Sequence, residues 1–196
     1  AAIAVTFLVL PTVTTQIFKI FPCDVITKTE VFLHSDYSLS CDTASHSVFV
    51  AYGVLMIFVW PIGVLALYSY LLIKNRARIN RPVEDRENDE KLMRLAFLFD
   101  PYKPEYWWFE VFETTRRLAM TGVLGAISPG SDLQLGAGIL MEVFATMVYC
   151  LCLPFIEFKD NVLGVLTNFL VLLVMLTALL LKHNEGKDAE EGIGGF

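Results

Sequence analysis

Five apolar stretches, each about long enough to cross lipid hydrocarbon, occupy most of this 196-residue chain. A spanning helix needs about 20 mostly apolar residues because the hydrocarbon core is about 30 Å thick. The stretches fall at residues 1–20, 47–73, 107–127, 133–154 and 162–182, with a polar tail over 183–196. The expected fold class is all-α, a polytopic transmembrane helix bundle. Composition agrees: 18% of residues are charged, against about 25% in ordinary soluble domains.

Charge sets the expected orientation. The run Lys74-Asn-Arg-Ala-Arg-Ile-Asn-Arg-Pro-Val-Glu-Asp-Arg86 holds five basic residues directly after the second stretch. Short loops rich in Lys and Arg stay cytoplasmic. Loop 74–106 is then cytoplasmic, and loops 22–46 and 128–132 are extracellular or lumenal. The formal charge of −6 gives no basic excess for nucleic acid. The chain starts Ala-Ala-Ile, without a basic n-region, so residues 1–20 make a poor secretory signal. It is expected to be a piece of a larger protein of the plasma, ciliary or an internal membrane.

The outer loop carries Cys23 and Cys41. An oxidising compartment permits a Cys23–Cys41 disulfide, the alternative being two free thiols. Alternating Val31, Leu33, Tyr37 and Leu39 suggest a small hairpin tied by it. Asp24, Asp36 and Asp42 match no calcium-loop spacing and are expected to be solvated surface, as are His34, His46 and His183. Pro61 and Gly63 lie inside the second stretch, where a proline frees a carbonyl and kinks the helix. The kink is either a gating hinge or a static bend. Leu92, Leu95, Ala96 and Phe99 follow helical spacing, so 85–99 is expected to form a cytoplasmic helix on the membrane or against the bundle. It ends at Asp100-Pro101. Tyr102, Tyr106, Trp107 and Trp108 are expected to form an interfacial aromatic belt where the third helix begins.

The third stretch also carries Glu110, Glu113, Arg116 and Arg117, and the fourth carries Glu142. Each such group costs roughly 2.5–3.5 kcal/mol in hydrocarbon unless it pairs or meets water. At a rise of about 1.5 Å per residue, Arg116 and Arg117 lie about 14–15 Å in from Trp107. Glu142 reaches a similar depth from the other side. A short loop joins the two helices, so they are expected to be neighbours, with Glu142 able to pair with either arginine. Glu113 meets Arg116 and Arg117 at i+3 and i+4. Three roles are open for the cluster: a structural ion network, a polar path for an ion or solute, or arginines that snorkel to the surface. Asn161, Thr167, Asn168 and Thr177 on the fifth helix can extend the polar seam.

No phosphate loop, metal-spaced His/Cys cluster or base-paired nucleophile is present in the sequence, so neither an enzyme, a metal site nor a cofactor is expected. Three segments carry a family resemblance: Leu33-His-Ser-Asp-Tyr-Ser-Leu-Ser-Cys-Asp42, Trp60-Pro-Ile-Gly63, and Phe99-Asp-Pro-Tyr-Lys-Pro-Glu-Tyr-Trp-Trp-Phe-Glu-Val-Phe-Glu-Thr-Thr-Arg-Arg-Leu118. Pro129-Gly-Ser-Asp-Leu-Gln-Leu135 and Leu153-Pro-Phe155 fit as well. Together they resemble the membrane region of the TRP-like (transient receptor potential C-terminal-domain-like) proteins of unicellular eukaryotes. The resemblance implies a channel- or receptor-like role. It also implies cysteine-rich, ephrin-receptor-like extracellular repeats elsewhere in the same chain. The alternative is a non-conducting anchor or accessory subunit of a membrane assembly. Expected partners are the lipid bilayer and either other membrane subunits or that extracellular region.

Overall fold

The computed structural model describes residues 2–27, 30–81, 89–126 and 130–193. They divide into two compact units: Ala1–Pro129 with Pro154–Ile156, and Gly130–Leu153 with Glu157–Phe196. The molecule is mainly helical, with one small sheet. Among the described residues, three helices are long and apolar enough to cross a membrane: Ala44–Ile79, Asp132–Cys152 and Phe158–Asn184. A shorter apolar helix runs over Val5–Phe18.

The first unit begins with α1 (Ala2–Phe18), which contains Pro11. Three short strands follow: β1 (Cys23–Thr27), β2 (Glu30–Leu33) and β3 (Asp36–Ser40). They form an antiparallel sheet in the order β1-β2-β3, with Cys23 opposite Leu33 and Phe32 opposite Ser40. The expected hairpin is thus a three-stranded cap, tied by the Cys23–Cys41 disulfide. The alternation seen in the sequence marked β2 and β3. Cys23-Asp-Val-Ile-Thr27, which carries no such polar/apolar alternation, supplies the third strand.

Helix α2 (Ala44–Ile57) opens on Thr43, whose side chain accepts a hydrogen bond from the His46 amide, the usual way to satisfy a first-turn donor. It passes through a π-helical turn, Phe58–Ile62, into α3 (Gly63–Ile79). Pro61 sits inside that turn. The widened turn is the form the expected kink takes, as prolines and π-bulges are the common causes of helix distortion. Helix α3 does not stop at 73. It continues to Ile79 through Lys74, Arg76, Ala77 and Arg78, which are good helix formers. Arg76 and Arg78 lie in its last turn, where cations complement the helix dipole. Ile79 is fully buried, which pins the end against the core.

The expected helix over 85–99 is not continuous. Residues 85–88, the start of its charged half, lie outside the described residues. The remainder forms α4 (Glu90–Met93) and a separate 3₁₀ turn, Ala96–Leu98. Leu92, Leu95, Leu98 and Phe99 nevertheless turn inward, joining Leu10, Tyr68, Leu72 and Ile79 in one core. Packing against the bundle therefore fixes this segment. A 3₁₀ turn brings residues three apart onto one side, so Leu92, Leu95 and Leu98 share a face without an unbroken helix.

The third apolar stretch holds α5 (Phe109–Leu118), a second π-helical turn, Ala119–Val123, and α6 (Leu124–Ala126). Gly122 allows this turn to approach α1: a Cβ there would lie 2.7 Å from Phe18 Cδ2 and 3.1 Å from Thr14 Cγ2. Residues 154–156 pair back on the segment before α5. The Lys103 amide donates to Pro154 O at 2.9 Å and the Ile156 amide to Pro101 O at 3.0 Å.

The second unit is a helical hairpin. Its first helix, α7 (Asp132–Cys152), is capped by Ser131, whose side chain accepts from the Gln134 amide. It ends at Leu153, a residue in the left-handed region at φ 45°. The second, α8 (Phe158–Ile193), is 36 residues long, so the tail expected from residue 183 continues the helix to Ile193. Lys182 ties the hairpin's far end, donating to Gly130 O at 2.5 Å and reaching Asp132 Oδ1 at 2.7 Å. Of loop 128–132, residues 128 and 129 lie outside the described residues, as do 194–196 of the tail.

Candidate functional site

Helix α5 turns its polar face inward. Its buried residues are Phe109, Glu110, Glu113, Thr114 and Leu118, at helical spacing. In water this would be an inverted helix. In a bundle it sends the carboxylates to the interior, where burial demands partners.

Glu113, with a side chain only 4% exposed, is the hub. Arg116 Nη2 donates to its Oε1 at 2.7 Å and Arg116 Nε to its Oε2 at 3.1 Å. Arg117 Nε donates to the same Oε1 at 3.0 Å. The Arg116 pair is a two-pronged fork, the strongest form of guanidinium–carboxylate contact. Arg116 is 15% exposed and Arg117 is 49% exposed, so one arginine lies inside and the other borders the surface. The expected i+3 and i+4 pairings are both present.

Glu110 sits one turn earlier. Tyr102 Oη donates to its Oε2 at 2.6 Å and Thr114 Oγ1 to its Oε1 at 3.4 Å. Tyr102 was expected in the interfacial belt. It is only 3% exposed and stacks near Phe109 and Phe155, at 5.3 and 5.1 Å between ring centres. The pairing of residues 154–156 with 101–103 draws it inside. The hydropathy pattern marks an aromatic cluster here but does not separate the ring that turns in from those that stay out. Tyr106 and Trp107 are half-buried, and Trp108 is exposed at 36%.

Glu142 is fully buried on α7, in the second unit. Its expected pairing with Arg116 or Arg117 would run between units and remains an expectation of the sequence. On α8, Asn161 and Asn168 are buried. Asn161 Nδ2 donates to Glu157 O at 3.1 Å, whereas Asn168 Nδ2 is buried with no hydrogen-bond partner among the described residues. Thr167 and Thr177 each bond a carbonyl of their own helix four residues back, at 2.7 and 2.8 Å, with exposed side chains. Those two threonines satisfy themselves locally.

The possible hinge is built from the π-helical turn. Pro61 is buried, and a Cβ on Gly63 would lie 3.1 Å from Phe58 O. In the three-stranded cap, Asp24 accepts Tyr37 Oη at 2.6 Å and pairs with His34 Nδ1 at 2.7 Å. The Tyr37 hydroxyl, then His34, hold the Asp24 carboxyl below the usual carboxylate range. The aspartates expected to be plain solvated surface thus include one that organises the cap. His46 Nε2 lies 3.8 Å from Cys23 Sγ. Cys23, Cys41 and His46 place three donor atoms within 4.8 Å of one another. The disulfide removes the thiolates that a metal would need.

Chemically, the α5 cluster is a set of carboxylates held by neighbouring cations and hydroxyls. Comparison with protein-family models, with curated proteins and with solved structures finds no match to this chain.

Proposed function

We propose that the chain is an integral membrane domain whose internal charges are matched within the protein: a non-conducting anchor within a TRP-like protein or a larger membrane assembly. The observation that carries this reading is the engagement of Glu113. Both of its oxygens are taken by Arg116 and Arg117 from its own helix. A carboxylate satisfied in this way needs no passing ion to explain it. The exposed apolar side chains of α7 and α8, such as Leu140 at 72%, Leu151 at 75% and Val174 at 68%, support a lipid-facing surface. Five spans, with α1 and the α5–α6 stretch as the two beyond the long apolar helices, complete the proposed topology. No catalytic role or cofactor is proposed.

The experiment is reconstitution into lipid vesicles with a cation-flux readout. The expected flux equals that of protein-free vesicles. Protein-dependent flux that Glu113→Gln abolishes would overturn the anchoring role. Membrane integration is checked separately by resistance to alkaline extraction. Orientation is read by thiol labelling of intact cells: Ser35→Cys should react, and Arg78→Cys should not.

A second reading, a channel- or receptor-like role, is favoured by the π-helical turns Phe58–Ile62 and Ala119–Val123. Such turns recur at functional sites. If they are hinges, spin labels flanking Pro61 should report two distances rather than one.

A further inference from the structure

We infer that the first unit carries a binding site for an anionic phospholipid, formed by a groove between α3 and α5 and the arginine at its end. The inference rests on the membrane reading above. The groove has a volume of 380 Å³ and is lined by Ser69 and Ile73 from α3 and by Trp107, Trp108, Val111 and Phe112 at and beyond the start of α5. This volume lies in the lower part of the range for ligand sites, about 300–1,000 Å³. Its walls are effectively apolar. The Ser69 hydroxyl is turned away to Leu65 O at 2.8 Å, and the Thr115 hydroxyl to Val111 O at 2.7 Å. Both lining hydroxyls are thus taken up by backbone carbonyls, which leaves a largely hydrocarbon wall suited to an acyl chain.

The charge lies at one end. Ser69, Ile73 and Arg76 fall at i, i+4 and i+7 on α3, so they share a face. Arg76 stacks over Trp107, its guanidinium carbon 5.4 Å from the ring centre. Trp107 is itself part of the lining. Among the described residues no carboxylate forms an ion pair with Arg76. Lys74, exposed and 5.7 Å from the Tyr70 ring centre, adds a second cation on the same turn. Aromatic rings sit at headgroup depth, and basic residues beside spanning helices on the cytoplasmic side recruit anionic headgroups. Here an apolar slot between the two helices, an aromatic rim from the start of α5 and the Arg76 guanidinium on α3 follow one another. That order matches a phospholipid read from acyl chain to phosphate.

The test uses tryptophan quenching, since Trp107 and Trp108 line the groove. The protein is placed in phosphatidylcholine vesicles containing a minority of brominated phosphatidylglycerol or, in parallel, the same fraction of brominated phosphatidylcholine. The expected result is a roughly fivefold preference for the anionic lipid, the contribution of one basic residue near a charged headgroup. The preference should fall to parity in Arg76→Gln and persist in Arg76→Lys. Val111→Phe, which fills the slot and leaves every charge in place, should weaken it as well. Equal quenching by the two lipids in the unmodified protein, or a preference that survives both Arg76→Gln and Val111→Phe, overturns the site and leaves the membrane reading standing. Absence of quenching by either lipid overturns the membrane reading itself.

Discussion

Helices α5 and α8 both come from apolar stretches of spanning length, yet they use polar residues in opposite ways. Helix α5 gathers Glu110 and Glu113 on its buried face and meets them with Tyr102, Thr114, Arg116 and Arg117. Helix α8 exposes Leu163, Leu170, Val174 and Leu180, and its threonines bond back to their own carbonyls. One helix depends on specific partners, and the other needs chiefly an apolar surrounding. Removing a polar side chain should therefore be costly in the first and nearly free in the second.

The largest effect is expected at Glu113. Glu113→Ala removes the carboxylate that both prongs of the Arg116 fork hold, and breaking a buried pair from one side costs about 4 kcal/mol. Arg117, half-exposed, contributes little of this. Reversible unfolding in mixed micelles measures the loss, and Glu113→Ala combined with Arg116→Ala should recover part of it. A loss no larger than that of an average surface mutant would erase the distinction between the two helices. Tyr102→Phe should cost about 2 kcal/mol, the penalty for leaving a buried acceptor unsatisfied, with helix content unchanged by circular dichroism. On α8, Asn168→Leu removes a buried amide nitrogen that has no partner among the described residues. Its expected effect is near zero or stabilising, and strong destabilisation there would show that α8 too relies on a polar contact.

The smallest effect belongs to the three-stranded cap. The Asp24 carboxyl is held below its ordinary range by Tyr37 and His34. A carboxylate depressed on folding contributes stability above its unfolded value, about 3.9, and loses that contribution as pH falls through the lower folded value. Protection of cap amides from exchange should therefore weaken below about pH 4, and Asp24→Asn should remove that dependence. Because the Asp24 side chain lies at the surface of the cap, 36% exposed, the change should be confined to the cap.

Hydropathy found the helices because a long apolar run is a strong signal, and the Glu113 pairs were legible because i+3 and i+4 spacing is fixed by helix geometry. The Cys23–Cys41 bridge followed from loop placement. Other features depended on information that periodicity does not hold. Spacing showed that Leu92, Leu95 and Phe99 share a face, but not that the chain between them changes from α to 3₁₀. Apolar content marked the end of the second stretch at 73, whereas the helix ends at Ile79, where packing and helix propensity set the boundary. Tyr102 and Trp108 read alike as aromatic residues before a helix. Pairing with residues 154–156, far away in sequence, separates them. The second π-helical turn contains no proline, and its glycine signals only a close contact with α1.

The π-helical turn at Phe58–Ile62 sets the phase of everything after it. One residue adds about 100° of rotation to a helix. Val64, Tyr68, Leu72 and Ile79 all point to the core beyond the turn. Deleting any one residue from 58–62 would relax the backbone into ordinary α-helix and swing those four side chains away from the core together. The turn thus makes the chain intolerant of a one-residue change in length at a place where the backbone itself would welcome one.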